Sequence, residues 1–440
     1  MDRLVYGNVG GTIQIPVSKS QAHRYLICSA LSDGKTDVVC PVLNDDIERT
    51  ADCLKSLGAD ITYEEGVFHV NAIRNVIKGA ELDCGESGST LRFMLPVAAV
   101  LGSEPFFLGR GRLPQRPLSP LYEQMCMHGV SMTPQGTMPL GQSGILAGGD
   151  YELAANVSSQ FISGLLMALP LADRDSTLSL TGKIESGSYI GMTLKALEVF
   201  GSKPELQGNT YSISRMKGTR YVSPGTVAVE GDWSSAAFWV VAGTTGRNGI
   251  VLKGLNNTDS PQGDRAVIDI LRSMGARIEI KDGDVYAMPS ELVGREIDCA
   301  DVPDLVPVLT VAASAACGNT VFRNISRLRA KESDRVEAVC AMLAGFGIKT
   351  DAGVDDLTVF GKGASLGTLP DGRSVVGAES SIVEVDSYND HRIAMSGSVM
   401  AVVAGRKALI RDSGCVAKSY PGFFDDFKAL GGSVECLNNP

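Results

Sequence analysis

Short motifs of lysine, arginine, serine and glycine recur along the chain at places where helices are predicted to begin. The first is Pro16-Val-Ser-Lys-Ser-Gln-Ala-His-Arg24, which precedes a run with helical apolar spacing. Ser18 or Ser20 can cap this helix, and Lys19 then sits where free backbone N–H groups and the helix dipole favour an anion. Arg24, one turn beyond Ser20, can face the same ligand. The motif indicates an anion site, and an ordinary capped surface helix is the alternative.

Three further motifs share this small, polar character. Gly85-Glu-Ser-Gly-Ser-Thr-Leu-Arg92 precedes an apolar helix predicted over Phe93–Leu101. Its glycines let a ligand approach the backbone, although the Gly-Lys-Ser/Thr of a Walker loop is missing. Leu113-Pro-Gln-Arg-Pro117 holds an arginine between two prolines, and a solvated turn is the alternative. Asn156-Val-Ser-Ser-Gln160 places hydroxyls at a helix start, where simple capping is the alternative.

The densest charged motif is Arg327-Leu-Arg-Ala-Lys-Glu-Ser-Asp-Arg335. At helical spacing, Lys331 and Arg335 are i,i+4 partners on one face, and Glu332 lies beside Lys331. A solvated helix face is the alternative interpretation. The pattern therefore predicts a helix that presents two cations and a carboxylate in the same direction.

Three later segments add polar groups at predicted helix starts or turns. Asp304 precedes an apolar helix predicted over Val306–Cys317, where it is either a cap or a general base. Tyr388-Asn-Asp-His-Arg392 enters a helix predicted over Ile393–Val403, and Cys415-Val-Ala-Lys-Ser-Tyr-Pro421 is predicted as a turn. Basic groups thus recur at element boundaries throughout the chain.

The elements that carry these motifs follow a repeat of about 72 residues. Each copy is a helical stretch that ends in a hydrophobic residue and glycine, followed at once by a short alternating strand, and the glycine suits the left-handed conformation at a helix C-terminus. The pattern indicates a βα-type unit repeated six times, with coincidence among common junctions as the alternative. After several of the junctions, the alternation continues into predicted hairpins, for example near residues 59–70 and 278–287. The six glycines are Gly58, Gly129, Gly201, Gly275, Gly347 and Gly431.

Composition excludes several classes of protein. The chain has 440 residues, of which 44% are hydrophobic and 20% charged, as expected for a globular protein. Its 40 basic and 50 acidic residues give a net charge of −10, which argues against a surface built for nucleic acid or anionic lipid. The sequence lacks a signal-peptide pattern and an apolar stretch of roughly 18 residues, so we expect a cytoplasmic protein without a membrane partner.

The cysteines and histidines do not predict a metal site. The ten cysteines never form a Cys-x-x-Cys pair, and the four histidines are scattered. Most cysteines lie in apolar surroundings, such as residues 26–30 and 312–318, which predicts reduced, buried thiols.

Taken in order, three motifs resemble those of the 5-enolpyruvylshikimate-3-phosphate (EPSP) synthase family across essentially the whole chain. They are Ser-Lys-Ser-x-x-x-Arg over 18–24, Lys-Glu-Ser-Asp-Arg over 331–335 and Asp-His-Arg over 390–392. The resemblance implies an α/β (α+β) fold, a two-domain inside-out barrel of six βαβαββ repeats with three repeats per domain. It implies a discontinuous domain of residues 1–17 plus 229–440, a second domain of residues 18–228, and an active site in the cleft between them.

The resemblance also implies an activity. Family members transfer the enolpyruvyl group of phosphoenolpyruvate to the 5-hydroxyl of shikimate 3-phosphate and release phosphate through a tetrahedral intermediate, on the pathway to chorismate and aromatic amino acids. They need no metal or organic cofactor, and their bacterial members are usually monomers without nucleic-acid or membrane partners. Two substrates with two phosphates and two carboxylates need fixed cations, and seven basic residues of the motifs are available.

Site residues are carried over position by position as implications of the resemblance. Asp304 would be the base at the 5-hydroxyl, and Glu332 and Lys19 would share the proton transfers with it. The residues implied for shikimate 3-phosphate are Lys19, Ser20, Arg24, Ser158, Ser159, Ser186, Asp304 and Lys331. Those implied for phosphoenolpyruvate are Lys19, Gly88, Arg116, Gln160, Arg335, Arg392 and Lys418.

The chain departs from the best-known bacterial members at two positions, with Glu86 and Arg327 where they have asparagine. Gly88 retains the residue whose enlargement in the family blocks glyphosate, the inhibitor that competes with phosphoenolpyruvate, so we expect sensitivity. One rival is the UDP-N-acetylglucosamine enolpyruvyltransferase, which typically has a Lys-Asn pair near its start and a mobile-loop cysteine. This chain has Lys19-Ser20, and Cys126 lies inside a predicted helix. The other rival, a non-catalytic phosphometabolite-binding homologue, would be expected to lack acid–base residues such as Asp304.

Overall fold

A computed structural model describes residues 1–184, 186–363 and 382–437. The chain divides into two compact units: unit 1 comprises Met1–Pro16 and Glu230–Pro440, and unit 2 comprises Val17–Val229. Each unit has its own hydrophobic core. Among the described helices, none is long and apolar enough to cross a membrane.

Helices begin behind polar caps in both units. At six helix starts, an Asn, Ser or Asp side chain accepts a hydrogen bond from a backbone N–H of the first turn, which satisfies a donor that the helix itself leaves free. The predicted cap in the motif over 156–160 is confirmed as Ser158. The helices of unit 2 are α1 Lys19–Ala30, α2 Asp45–Ser56, α3 Gly88–Val100, α4 Leu121–Met127, α5 Ser159–Ala168 and α6 Gly187–Val199. Those of unit 1 are α7 Trp233–Thr245, α8 Val267–Ser273, α9 Val306–Ala315, α10 Arg335–Gly345, α11 His391–Ala404 and α12 Phe423–Ala429.

The strands of unit 2 form three four-stranded sheets within the described residues. In spatial order the sheets are β14-β3-β5-β4, β6-β7-β9-β8 and β10-β11-β13-β12, with bounds as follows: β3 Lys35–Val39, β4 Asp60–Glu64, β5 Val67–Asn71, β6 Glu81–Asp83, β7 Phe106–Leu108, β8 Val130–Met132, β9 Leu140–Gly144, β10 Asp150–Ala154, β11 Ser176–Thr181, β12 Glu205–Gln207, β13 Thr210–Ile213 and β14 Thr226–Ala228. In each sheet the first pair is parallel and the other two pairs are antiparallel.

Unit 1 repeats the same pairing pattern in the part of the chain that the structure describes. Its sheets, written from the parallel pair onward, are β2-β15-β17-β16, β18-β19-β21-β20 and β22-β23-β1-β24, with bounds as follows: β1 Asp2–Tyr6, β2 Gly11–Gln14, β15 Ile250–Lys253, β16 Arg277–Lys281, β17 Asp284–Met288, β18 Glu296–Asp298, β19 Cys317–Arg323, β20 Thr350–Ala352, β21 Asp356–Lys362, β22 Val383–Asp386, β23 Ala408–Arg411 and β24 Ser433–Leu437. The mixed α/β class is confirmed, as are the two predicted hairpins, β4–β5 and β16–β17.

The glycine junctions of the 72-residue repeat have the predicted conformation. All six glycines have positive φ, between 74° and 109°. Five of the junctions close with the paired hydrogen bonds of a Schellman motif. At the first, the Gly58 N–H donates to Lys55 O (2.9 Å) and the Ala59 N–H to Leu54 O (3.0 Å). Each helix is therefore ended by its glycine and turned directly into the next strand.

The most buried helices place their N-terminal ends at the polar motifs. In unit 1, α7, α9 and α11 are apolar on almost every side and pack against one another. In unit 2, α3 and α5 pack together in the same way. The cores thus fix the positions of the helix starts that carry charge.

The cysteines are free thiols among the described residues, and six of the ten are buried. The prediction of a buried thiol is wrong for Cys317, which is exposed because the first residues of β19 face solvent. Cys126 lies inside α4, as predicted.

Candidate active site

In unit 2, most of the predicted site residues lie in the first turn of a helix or directly before it. Lys19 begins α1, Gly88 begins α3, Ser159 begins α5, and Ser186 directly precedes α6. First-turn N–H groups lack partners within the helix and carry the positive end of its dipole, so this arrangement favours anions. Among the described residues, Ser186 makes no side-chain hydrogen bond to the other predicted residues.

Arg24 is a buried cation without a carboxylate partner in the described part of the chain. The residue is 2% exposed, and its Nε donates to Thr193 Oγ1 (2.7 Å). The two Nη atoms donate to hydroxyl and carbonyl oxygens, including Ser20 O at 2.6 Å. Burial lowers the pKa of Arg24 to about 10, so the group remains charged at neutral pH. A buried positive charge held only by neutral groups is best balanced by an anionic ligand.

Gly88, Arg116 and Gln160 come together around a residue that sequence analysis did not assign, Arg92. Arg92 Nη1 donates to Gln160 Oε1 (2.8 Å), and Gln160 Nε2 donates to Ser89 Oγ (2.9 Å). A Cβ atom added at Gly88 would lie 2.6 Å from Arg116 Nη1 and 2.8 Å from Arg92 Nη1. Glycine is therefore required for two guanidinium groups to approach the start of α3. The signal for Arg92 was its i,i+4 spacing from Gly88.

Lys19 is held by Asp46, a partner that sequence analysis missed. Its Nζ lies 2.8 Å from Asp46 Oδ2, and Asp46 belongs to the first turn of α2. The predicted cap by Ser18 is wrong, although Ser18 occupies the N-cap position. Its side chain is fully buried, and its Oγ makes no hydrogen bond to the helix.

In unit 1, Arg335 joins three carboxylates at the start of α10. Its Nε lies 2.8 Å from Asp390 Oδ2, its Nη1 2.8 Å from Asp304 Oδ1, and its Nη2 2.8 Å from Glu332 Oε2. Arg335 is 2% exposed and Asp390 is fully buried. Burial acts to lower the pKa of Arg335, but the three negative charges outweigh it and raise that pKa. The same ion pair keeps the pKa of Asp390 below its usual value against the effect of burial.

Asp304 is the second centre of this cluster. Besides Arg335, its carboxylate accepts a hydrogen bond from Arg392 Nη2 at 2.9 Å, and Lys331 Nζ lies 3.4 Å away. The capping interpretation of Asp304 is wrong, because it lies in a 3-10 turn and its carboxylate is taken up by these three cations. Burial lowers the pKa of Lys331, while Asp304 acts in the opposite direction.

Lys418 lies at the edge of the same region. It ends the 3-10 turn Ser413–Lys418, which confirms the predicted turn, and its Nζ donates to Asn389 O (2.7 Å). Asn389 directly precedes Asp390, the cap of α11. The six residues predicted for unit 1, Asp304, Lys331, Glu332, Arg335, Arg392 and Lys418, thus lie around the starts of α9, α10 and α11.

The prediction of one helical face for Lys331 and Arg335 is wrong. Residues Ser326–Ala330 form a 3-10 turn, Lys331 has extended backbone, and α10 begins only at Arg335. Asp334 causes this start, since its side chain accepts hydrogen bonds from the N–H groups of Val336 and Glu337. Both cations nevertheless contact Asp304. Arg327 in the same turn donates to the carbonyl of Ala300.

The described residues contain no group of three or more His, Cys, Asp and Glu side chains that could hold a metal ion. The polar groups that the site does hold are carboxylates, cations and helix N-termini. Carboxylates held beside ammonium and guanidinium groups can exchange protons with a bound substrate, and the cations can balance its charge.

Comparison with known proteins places this arrangement in context. The model of the family described as EPSP synthase (3-phosphoshikimate 1-carboxyvinyltransferase) matches residues 6–427. A curated relative named 3-phosphoshikimate 1-carboxyvinyltransferase, from Clostridium kluyveri, is 39% identical over 427 residues, which cover 97% of this chain and 96% of the relative. One of the same name from Clostridium perfringens is 39% identical over 435 residues and 97% of each chain.

Solved structures resemble the chain over its whole length. An EPSP synthase from Acinetobacter baumannii superimposes with a TM-score of 0.78 at 25% identity, covering 99% of this chain and 100% of that one. The enolpyruvyl transferase NikO from Streptomyces tendae shares the fold, with a TM-score of 0.74 at 16% identity over 99% of this chain and 98% of that one.

Proposed function

Because the chain belongs to the EPSP synthase family, we propose that its two groups of helix-start residues bind the two anionic substrates of that family's reaction. The chain transfers the enolpyruvyl group of phosphoenolpyruvate to the 5-hydroxyl of shikimate 3-phosphate, in the pathway to chorismate and aromatic amino acids. The family match over residues 6–427 carries this conclusion. The UDP-N-acetylglucosamine enolpyruvyltransferase is not favoured by the names of the relatives.

The phosphate of shikimate 3-phosphate binds at the start of α1 and α5 in this proposal. Arg24 is the main cation, because it is buried and its partners in the described residues are neutral. Ser158 and Ser159 offer hydroxyls and first-turn N–H groups, Ser20 and Ser186 add hydroxyls, and Lys19 and Lys331 add charge. Asp304 would reach the 5-hydroxyl of the cyclohexene ring.

Phosphoenolpyruvate binds to the remaining cations in this proposal. Gly88 lets Arg116 lie close to the N-terminus of α3. Arg92 orients Gln160 by donating a hydrogen bond to its Oε1. Arg335, Arg392 and Lys418 supply the other charges, with Lys19 shared between the two substrates.

The proton transfers fall to carboxylates that are already held by cations. Asp304 accepts the proton of the 5-hydroxyl, and its three cationic neighbours keep it ionised for that task. Arg335 fixes Glu332. Glu332 and Lys19 take part in delivering a proton to the methylene carbon and in removing one from the methyl group later. The 5-oxygen bonds to C2 of phosphoenolpyruvate as it gives up its proton and the methylene carbon gains one, which forms the tetrahedral intermediate. Loss of phosphate from C2, with loss of a proton from the new methyl group, restores the double bond and completes the transfer.

We extend the proposal to the architecture and setting of the enzyme. The six sheets of one pairing pattern support six βαβαββ repeats, three in each of the domains 1–17 plus 229–440 and 18–228, with each domain an inside-out α/β barrel. The enzyme acts as a cytoplasmic monomer on small molecules, without nucleic acid, membrane or cofactor.

A phosphate-release assay tests the proposed function. With shikimate 3-phosphate and phosphoenolpyruvate together, we expect one phosphate per molecule of 5-enolpyruvylshikimate 3-phosphate, identified by mass spectrometry. With UDP-N-acetylglucosamine as the acceptor, we expect no release. Release with the second acceptor, or none with the first, would refute the assignment.

Arg24→Ala should weaken shikimate 3-phosphate binding more than phosphoenolpyruvate binding. The variant removes the buried charge assigned to the acceptor phosphate, and a charge-assisted contact contributes about 1.5–3 kcal/mol, or roughly 10- to 100-fold in affinity. Calorimetry with each substrate measures the two effects. Arg49→Ala is the control, because Arg49 is a half-exposed arginine of α2 that pairs with Asp83 at 3.0 Å. Equal weakening of both substrates by Arg24→Ala would contradict the assignment.

Gly88→Ala should make the enzyme resistant to glyphosate and raise the KM for phosphoenolpyruvate. The new Cβ would lie 2.6 Å from Arg116 Nη1, so the guanidinium must move, while the backbone keeps its helical conformation. Inhibition curves against phosphoenolpyruvate measure the change, starting from a wild-type enzyme that we expect to be sensitive. Gly191→Ala in α6 is the matched control, because a Cβ there meets nothing within 4 Å. Wild-type turnover that glyphosate does not inhibit would exclude the predicted sensitivity.

A further inference from the structure

The start of α7 holds a buried carboxyl that the assignments above leave without a role. Asp264 lies in the 3-10 turn Gly263–Ala266 and is 3% exposed. Ser234, in the first turn of α7, donates a hydrogen bond to its Oδ2, whereas its Oδ1 has no hydrogen-bond partner in the described part of the chain. Gln262 fixes the turn to the same helix, since its Oε1 accepts a hydrogen bond from the Trp233 N–H (3.1 Å).

Charged groups on the neighbouring elements act on this carboxyl. Helix α7 packs against both the turn that carries Asp264 and the turn that carries Asp304. Two negative charges act on it, those of Asp304 and of Asp232, the cap of α7. Arg392, at the start of α11, contributes a positive charge. Burial, followed by the charge of Asp304, raises the pKa of Asp264 to about 7, while Arg392 and the Ser234 hydroxyl act to lower it.

The geometry favours a neutral Asp264. An ionised carboxylate with one buried oxygen that no donor reaches is costly, and a second negative charge near Asp304 adds to that cost. A protonated Asp264 avoids both penalties. It also leaves Asp304 as the carboxylate that balances Arg392 and Lys331.

We propose that Asp264 is a positioning residue for the reaction assigned above: in its neutral form it keeps Asp304 as the charged base and adds no second negative charge that would offset Arg392, a residue assigned to phosphoenolpyruvate. Ionisation of Asp264 adds a negative charge that interacts with Arg392, so it offsets part of the attraction for the anionic donor and weakens its binding. The inference rests on the proposed function. It assigns to Asp264 an effect on the KM for the donor that depends on pH.

Asp264→Asn tests this role, because the amide keeps the shape of the neutral carboxyl and cannot ionise. The measurement is the KM for phosphoenolpyruvate, at saturating shikimate 3-phosphate, in both enzymes across the pH range. Protonated Asp264 resembles the amide, so the ratio of wild-type to variant KM should be close to one at about pH 5.5. The ratio should rise about 3- to 10-fold by about pH 9, because Asp264 ionises in the wild-type enzyme. The midpoint should lie near pH 7, the value to which burial raises the pKa of Asp264.

Two further variants make the test decisive. Ser234→Ala removes the hydroxyl that favours ionised Asp264. In this variant, the pH-dependent rise in the KM for phosphoenolpyruvate should therefore have its midpoint at a higher pH than in the wild-type enzyme. Asp269→Asn, at an exposed carboxylate of α8, should leave the profile unchanged. A pH-independent ratio in Asp264→Asn overturns the proposal, and if that variant does not fold, an unmoved midpoint in Ser234→Ala overturns it. A wild-type enzyme inactive with both substrates would instead refute the proposed function.

Discussion

Asp304→Ala should lower kcat by about 10²- to 10⁴-fold, the range expected for loss of a proton-transfer group. Lys331, Arg335 and Arg392 all contact this carboxylate. Its removal takes away the proposed base and leaves three cations with one fewer anion near them. The lost negative charge favours anion binding and the lost hydrogen bond to the 5-hydroxyl opposes it, so we expect substrate affinities close to those of the wild-type enzyme.

Single-turnover kinetics and calorimetry together separate these two effects. Asp351→Ala provides the control, because Asp351 is an exposed residue of β20 and should change neither quantity. A variant with near-normal kcat would remove Asp304 from the mechanism. A variant that loses substrate affinity in proportion to kcat would make Asp304 a binding group instead.

Arg335→Met should lower the free energy of unfolding by about 3–5 kcal/mol, the cost of leaving buried charges without their partner. Arg335 contacts Asp304, Glu332 and Asp390, and Asp390 is fully buried. Methionine has a similar length but no charge, so Asp390 and Glu332 would lose their contact with this cation, while Asp304 would keep Lys331 and Arg392. Denaturant unfolding followed by circular dichroism measures the change.

Arg323→Met is the matched control for that experiment. Arg323 also pairs with two carboxylates, Asp356 at 2.7 Å and Glu296 at 3.1 Å, but it is exposed to solvent. Exposed pairs contribute about 0–1 kcal/mol, so the control should unfold almost like the wild-type chain. Equal losses in the two variants would show that burial of the Arg335 cluster has no special effect on stability.

Local sequence features predicted the elements well where a single residue type determines the backbone. Gly58 and its five counterparts end helices because they alone accept positive φ at low cost, so their spacing predicted the helix–strand junctions. The same reasoning failed for the segment before Arg335. There, Asp334 takes the N-cap position, and its side-chain hydrogen bonds to the first turn make α10 begin at Arg335.

The site could be predicted only as a set of residues, not as a set of contacts. Asp304 meets Lys331 and Arg392 across 27 and 88 positions of the chain, and periodicity carries no information about such pairs. Arg92 stood in a quoted motif, yet its bond to Gln160 depends on the packing of α3 against α5. The carboxylates Asp46 and Asp264 were missed because a search for phosphate-binding groups attends to cations.

The net charge of −10 is consistent with an anion site because its cations are local and mostly balanced. Arg335 is surrounded by carboxylates, and Lys19 pairs with Asp46. Arg24 differs, since its partners in the described residues are neutral. The net charge therefore does not indicate the charge of the ligand, whereas the partners of each buried cation do.

A crystal structure with shikimate 3-phosphate and glyphosate bound tests the central claim most directly, because it locates both substrate positions at once. The account predicts Arg24 at hydrogen-bond distance from the shikimate phosphate, and an Asp304 carboxylate oxygen about 2.6–3.2 Å from the 5-hydroxyl. It predicts glyphosate between Gly88 and the guanidinium groups of Arg116, Arg335 and Arg392. A phosphate bound away from Arg24, or a 5-hydroxyl out of reach of Asp304, would contradict it.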